Sequence, residues 1–130
     1  MSEDEMLVEK ALAGRDHAYA PYSDFKVGAA LLTAAGQVYA GGNVENISFG
    51  LTMCAERVAV GSAIAESARD WQLLAIVADS KEPVVPCGAC RQVLAEFNPK
   101  LRIISSTLDG QTAEFRLDDL LPYPRQGILE

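Results

Sequence analysis

The order of elements along this sequence predicts an α/β chain folded as a three-layer α/β/α sandwich around a five-stranded mixed sheet. Three observations carry this. The hydrophobic spacing switches between helical and strand periods in the order α-β-β-α-β-α-β-β. Two helical segments fall between strands, and such crossovers normally set neighbouring strands parallel. Two pairs of strands are joined by tight turns, which adds antiparallel pairing.

Each element has a local cause. Ser2 and Glu5 form a capping-box pattern, and Leu7, Val8, Ala11, Leu12, Ala18 and Tyr19 follow at helical spacing up to Pro21, which stops the helix. Phe25, Val27, Ala29 and Leu31 alternate as a strand, Ala35-Gly36 marks a turn, and Gln37 to Gly41 returns as its partner. The stretch Gly41 to Asn46 reads as a polar loop. Thr52 to Ala68 is small, apolar and free of proline, a helix. Leu73 to Ala78 is apolar on both faces, the pattern of a buried strand. After a loop with Pro83 and Pro86, the residues Cys90, Val93, Leu94 and Phe97 share one helical stripe. Arg102 to Thr107 and Thr112 to Leu117 make a hairpin about Asp109-Gly110, and Leu117 to Leu121 forms a short last helix before Pro122.

The 130 residues suit one domain, 1–130. With 49% hydrophobic and 22% charged residues the chain has a globular composition. Its net charge of −7 argues against a broad phosphate-binding face, so no nucleic-acid partner is expected and a small polar or cationic substrate fits better. No apolar run reaches the roughly 20 residues of a membrane span. The acidic start Met1-Ser2-Glu3-Asp4-Glu5 lacks a signal-peptide pattern, so the expected location is the cytoplasm.

Three cysteines do not suggest a disulfide framework. Cys87 and Cys90 lie three apart, on one face of a helix. Alone, that pair fits a metal site, a redox couple or inert core thiols equally. Cys54 opens the other crossover helix, and two helix N-termini can meet at one edge of the sheet, where the positive dipole end favours thiolate. Three sulfur ligands on Zn²⁺ leave a fourth position for water, the catalytic arrangement. Glu56, two residues after Cys54, and Pro86, directly before Cys87, shift the balance. Zinc nucleobase deaminases carry a ligand-x-Glu segment and a later Pro-Cys-x-x-Cys segment, with the glutamate as proton shuttle. Residues two apart in mid-helix point about 200° away from each other, so Cys54 and Glu56 converge only if the helix begins close to Cys54. His17, the single histidine, reads as a solvated residue near a helix end and not as a ligand.

The segments Ala20-Pro21-Tyr22-Ser23-x-Phe25-x-Val27-Gly28-Ala29-Ala30-Leu31, Gly42-Asn43-Val44-Glu45-Asn46, Cys54-Ala55-Glu56-Arg57, Pro86-Cys87-Gly88-Ala89-Cys90-Arg91-Gln92 and Leu120-Leu121-Pro122 together carry a resemblance. Over nearly its whole length the chain resembles the small homotetrameric, zinc-dependent cytidine deaminases of pyrimidine salvage. The resemblance implies the cytidine-deaminase-like fold and one Zn²⁺ on Cys54, Cys87 and Cys90. It implies zinc-activated hydroxide attack at C4 of cytidine or 2′-deoxycytidine, giving the uridine nucleoside and ammonia. Glu56 matches the proton shuttle, and the backbone N–H groups of Ala55 and Cys87 match those that fix the base edge. Asn43 and Glu45 match the residues at the ribose 3′-hydroxyl, and Phe25 the aromatic against the pyrimidine. Outside the motif these three would read as a loop former, a solvated charge and a core residue.

Three thiolates outweigh the charge of Zn²⁺ and blunt its effect on water. Arg57 matches an arginine thought to compensate them; otherwise it is a helix-surface residue in a weak ion pair. The small residues Gly61, Ser62, Ala63 and Ala65 allow close helix approach, and related enzymes place this helix between subunits, so a homotetramer is implied. Two departures stand out. Phe49 replaces a tyrosine of many relatives, removing a hydroxyl that reaches a neighbouring subunit's sugar, and the tail from Tyr123 lacks the phenylalanine that closes an adjacent site. Competing readings are a deaminase of another base or analogue (blasticidin-type or guanine-type), a non-catalytic zinc module and a thiol oxidoreductase. Relatives acting on tRNA adenosine usually carry histidine at the place of Cys54 and need a basic surface.

Overall fold

The computed structural model describes residues 1–124. Its elements are α1 (Glu3–Arg15), β1 (Val27–Thr33), β2 (Val38–Gly42), a 3₁₀ turn (Phe49–Leu51), α2 (Ala55–Ala65), β3 (Trp71–Ala78), α3 (Gly88–Phe97), β4 (Arg102–Thr107), β5 (Thr112–Arg116) and α4 (Leu117–Leu120). The sheet order is β2-β1-β3-β4-β5. β1 runs antiparallel to both β2 and β3, β3 is parallel to β4, and β4 is antiparallel to β5. The sheet is therefore mixed, as expected.

Only one of the two crossovers makes parallel neighbours. α3 joins β3 to β4 directly, whereas β1 lies between β2 and β3 across the α2 crossover. Because β1 opposes both, β2 and β3 still run the same way. The helices that leave their C-terminal ends, α2 and α3, consequently begin at the same end of the sheet.

The layers separate as predicted. On one face Leu7 and Ala11 of α1 pack on Ala30, Leu32, Leu73, Ala75, Val77 and Ile104. On the other, Ala55, Ala59, Val60 and Ala63 of α2 join Leu94 and Ala95 of α3 over Leu31, Leu74, Ile76 and Ile103. Alternate residues of β1, β3 and β4 thus feed different cores, which explains why these strands are apolar on both faces. Glycine is required where helix and sheet come closest. A Cβ at Gly28 would lie 1.9 Å from the Ala11 carbonyl oxygen, and one at Gly42 would lie 2.6 Å from that of Gly14.

Several boundaries differ from the sequence expectation, among them the helix expected over Thr52 to Ala68, which runs Ala55–Ala65 because Cys54 caps its start in extended backbone. The capping box at Ser2 forms, but α1 ends at Arg15 and does not continue toward Pro21. Tyr19 instead bridges Val44: Glu45 N donates to the Tyr19 carbonyl and Tyr19 N to that of Asn43, both at 2.8 Å. These long-range hydrogen bonds outcompete one more helical turn. The first strand begins at Val27 and not Phe25, and Gly41 and Gly42 belong to β2, paired with Ala29 and Gly28.

Candidate active site

Cys54 and Cys87 are the N-cap residues of α2 and α3, both in extended backbone. The helix at Cys54 therefore starts where the convergence of Cys54 and Glu56 required. Cys90 sits three residues into α3, the N-cap/N3 relationship that brings two side chains together at a helix start. Neither N-cap side chain caps the backbone N–H groups of its own helix, which leaves the sulfurs free to face one another.

The three sulfurs lie within 4.8 Å of one another. Cys54 and Cys87 are 3.9 Å apart, Cys87 and Cys90 3.5 Å. Thiolates placed about 2.3 Å from a tetrahedral zinc ion stand about 3.8 Å from each other, so these two separations are those of a zinc donor set. The thiols are graded in exposure: Cys87 is exposed, Cys54 intermediate and Cys90 buried. Such a cluster cannot ionise fully by itself. Its hydrogen bond with Cys90, helped by Arg57 and Cys87 against the cost of burial, draws the Cys54 thiol down to about 5. The same hydrogen bond, with burial and the charges of Glu56 and Cys54, holds Cys90 above its ordinary range.

Glu56 is 6% exposed. Burial raises its carboxyl to about 7, and the charge on Cys54 adds to this while the residue's own backbone N–H and Arg57 oppose it. Arg57 Nη2 lies 3.5 Å from Cys54 Sγ and 3.4 Å from the Thr52 carbonyl, so this half-buried arginine reaches the sulfur corner. Among the described residues its buried Nε finds no partner. The hydrogen bond to Cys54 raises the guanidinium pKa further.

The second half of the site is built from loops. Val44 and Met53 exchange two backbone hydrogen bonds of 2.9 and 2.8 Å, which lays the Asn43–Asn46 segment beside the residue that precedes Cys54. Asn43 is 8% exposed and its amide is engaged with backbone. Oδ1 accepts from Val27 N at 2.9 Å and Nδ2 donates to the Phe25 carbonyl at 3.0 Å. One Nδ2 hydrogen remains. Glu45 Oε1 accepts from Tyr22 N and Ser23 N at 2.9 and 3.1 Å, and Oε2 accepts the Ser23 hydroxyl. These donors, the hydroxyl first, hold its carboxyl below the usual range. Phe25 is 39% exposed and is not a core residue. A cavity of 360 Å³ is lined by Tyr22, Ser23, Glu45, Phe49 and Thr52.

Sequence reasoning missed Ser23 as a partner of Glu45, although it lies inside the Pro21–Leu31 segment that carries the resemblance. Ser23 Oγ also accepts from Phe25 N at 3.0 Å, so it links two of the candidate substrate residues, Phe25 and Glu45. His17 lines a separate cavity with Lys10, Gly14 and Val58, away from the sulfurs.

Residues 1–106 match the cytidine and deoxycytidylate deaminase zinc-binding region. The chain belongs to the cytidine and deoxycytidylate deaminase family. It is 50% identical over 119 residues to a cytidine deaminase of Halalkalibacterium halodurans, covering 91% of this chain and 90% of that protein. Its fold is similar to the crystal structure of cytidine deaminase from Burkholderia pseudomallei, with a TM-score of 0.89 at 46% identity over 94% of this chain and 98% of that one. The cytidine deaminase from Mycobacterium tuberculosis superposes with a TM-score of 0.82 at 39% identity, over 98% and 100% of the two chains. Within this zinc-binding family, Cys54, Cys87 and Cys90 are the residues placed to hold the ion.

Proposed function

We propose that this chain, as one domain over residues 1–130, hydrolyses cytidine and 2′-deoxycytidine to uridine and 2′-deoxyuridine with release of ammonia. The observation that carries the reading is the sulfur triad with Glu56 buried against it. Cys54, Cys87 and Cys90 would hold a zinc ion, which would supply a Lewis acid that makes a bound water easier to deprotonate.

Glu56 takes one proton of the water and delivers it to N3 of the pyrimidine as the water oxygen bonds to C4. It then takes the remaining proton from that oxygen and passes it to N4, so the C4–N4 bond breaks, the C4 carbonyl forms and ammonia leaves. A carboxyl whose affinity for protons lies near neutrality can both accept and return one. The N–H groups of Ala55 and Cys87, at the first turns of α2 and α3, hold the base edge. Arg57 withdraws charge from Cys54 and so restores electrophilicity to the centre. Asn43 offers its remaining Nδ2 hydrogen, and Glu45 its Oε2 lone pair, to the ribose 3′-hydroxyl. Phe25 packs on the pyrimidine. A site built around a sugar hydroxyl discriminates against free cytosine.

Several features support a homotetramer. Ile47, Phe49 and Leu51 are exposed together, Phe49 at 75%. Gly61, Ser62 and Ala65 leave a side of α2 exposed and small, suited to close helix approach, whereas Ala63 of the same stretch is buried in this chain's own core and is not available to a neighbour. The tail expected to bear on site closure runs beyond Pro124, outside the described residues. Free thiols and the acidic surface are in keeping with a cytoplasmic role in pyrimidine salvage without nucleic-acid or membrane partners. Among the described residues no helix is long and apolar enough to cross a membrane.

Zinc-loaded protein incubated with cytidine, deoxycytidine and cytosine tests this directly. Ammonia is expected from the two nucleosides and not from cytosine. Silence with all three, alongside bound zinc, would leave a deaminase of another analogue or a non-catalytic zinc module.

A further inference from the structure

Cys87 is gripped on both sides by one residue, Arg91. The Arg91 backbone N–H donates to the Cys87 carbonyl at 2.9 Å, closing the first turn of α3. Its side chain folds back, and Nε donates to the Pro86 carbonyl at 2.7 Å. The remaining arm, Nη1, reaches the Leu120 carbonyl at the end of α4, 3.3 Å away. Next to it, Gln92 Nε2 donates to the Pro124 carbonyl at 2.9 Å.

The Pro86 carbonyl and the Cys87 N–H belong to one peptide group. No cis peptide occurs among the described residues, and in a planar trans peptide the C=O and N–H point opposite ways. Holding the oxygen therefore sets where the N–H aims. Pro86 is buried and its φ is restricted by the ring, so the clamp acts on a segment with little other freedom. A cation on the carbonyl also polarises the amide and strengthens its N–H as a donor. The planar guanidinium fork suits two carbonyls from distant segments, which a lysine ammonium cannot span in the same way.

Arg57 provides the contrast. It too sits in a first helical turn and reaches a carbonyl ahead of its N-cap cysteine, but it also touches sulfur. Arg91 is directed at carbonyls.

We propose that Arg91 is a positioning residue for deamination: it aims the Cys87 N–H at the pyrimidine and ties that aim to the C-terminal helix. This rests on the reading that the Cys87 N–H holds the base edge.

The test compares zinc-loaded full-length wild type, Arg91→Gln and Arg91→Lys. Bound zinc, thermal midpoint, kcat/KM for cytidine per bound zinc, and the ¹⁵N shift of the Cys87 amide are measured. Pro86-Cys87 is the one Pro-Cys pair in the sequence, so ¹³C-proline with ¹⁵N-cysteine labelling isolates that resonance. Arg91→Gln is expected to keep zinc, move the resonance and lose about 10- to 100-fold in kcat/KM per bound zinc, the scale of a misplaced contact. Arg91→Lys, which still reaches Pro86, is expected to recover most of the rate and move the resonance back toward wild type. A lower thermal midpoint with unchanged kcat/KM per bound zinc and an unmoved amide would show a strut without a positioning role and overturn the proposal. If Arg91→Gln does not fold, Arg91→Lys decides alone: a moved amide with a fewfold rate loss supports the proposal, and neither change overturns it. A wild type that releases no ammonia fails the deaminase reading and the proposal with it. An active wild type beside an equally active Arg91→Gln fails the proposal alone.

Discussion

The two halves of the candidate site are held by different means. The sulfur corner stands on two helix starts backed by the core: Ala55 and Cys90 are fully buried, and Glu56 nearly so. The loop half, from Tyr19 to Phe25 and from Asn43 to Met53, is held by side chains bonded to backbone and by single β-bridges, with much of its apolar surface exposed. At the sulfur corner burial raises the Glu56 carboxyl and the clustered thiols perturb one another, whereas the Glu45 carboxyl in the loop half is lowered by the donors that hold it. Adaptable hydrogen bonds in the second half suit recognition of a sugar. The difference separates chemistry from binding: changes at the sulfur corner should alter kcat and zinc retention, and changes in the loops should alter KM.

The largest effect that could break this division is at Glu56. Glu56→Gln is expected to retain zinc, measured by elemental analysis, and to lose about 10²- to 10⁴-fold in kcat, the usual contribution of a positioned acid-base group. A variant that kept its rate would remove the shuttle from the sulfur corner altogether.

Stability gives the next test, in metal-free protein. The Glu56 carboxyl is raised to about 7 in the fold from 4.5, so the native state binds the proton more tightly than the unfolded one. Stability linked to this group is therefore fully present below pH 4.5 and is lost as pH rises through 7. The total is about 3 kcal/mol at 1.36 kcal/mol for each pKa unit. Denaturant midpoints of wild type and Glu56→Gln, compared at pH values from 4.5 to 8, should diverge in favour of the variant as pH rises. Parallel curves would mean that the carboxyl is not desolvated.

A smaller change is expected at Arg57. Arg57→Gln should weaken zinc retention or turnover about 10- to 100-fold, as for other groups that support metal ligands, with KM for cytidine little affected. Chelator competition and steady-state kinetics distinguish the two. Full zinc retention together with an unchanged rate would return Arg57 to an ordinary helix-surface residue.

The smallest effect sharpens the other half. Ser23→Ala removes the hydroxyl that donates to Glu45 and accepts from Phe25 N. KM for cytidine is expected to rise about 5-fold, the scale of one hydrogen bond, with kcat and zinc content unchanged. A loss in kcat instead would mean that the loops take part in chemistry and that the division between halves is false.

Much of this was legible in the residues alone, because the decisive signals are local. Cys-x-x-Cys at a helix start needs only the N-cap/N3 relationship to bring two sulfurs together, and the Cys54/Glu56 spacing forced a helix start that the structure places at Ala55. Strand periodicity marked all five strands to within two residues. Tertiary structure alone decided the rest. It inserted β1 between β2 and β3, ended α1 at Arg15 in favour of the Tyr19–Val44 bridge, and engaged the Asn43 amide with the entry to β1. It also spanned 29 residues to set Arg91 on Leu120. Side-chain periodicity encodes which face of an element is buried, but backbone donors and acceptors are the same at every residue. Which distant carbonyl or amide satisfies them is settled only when the layers pack.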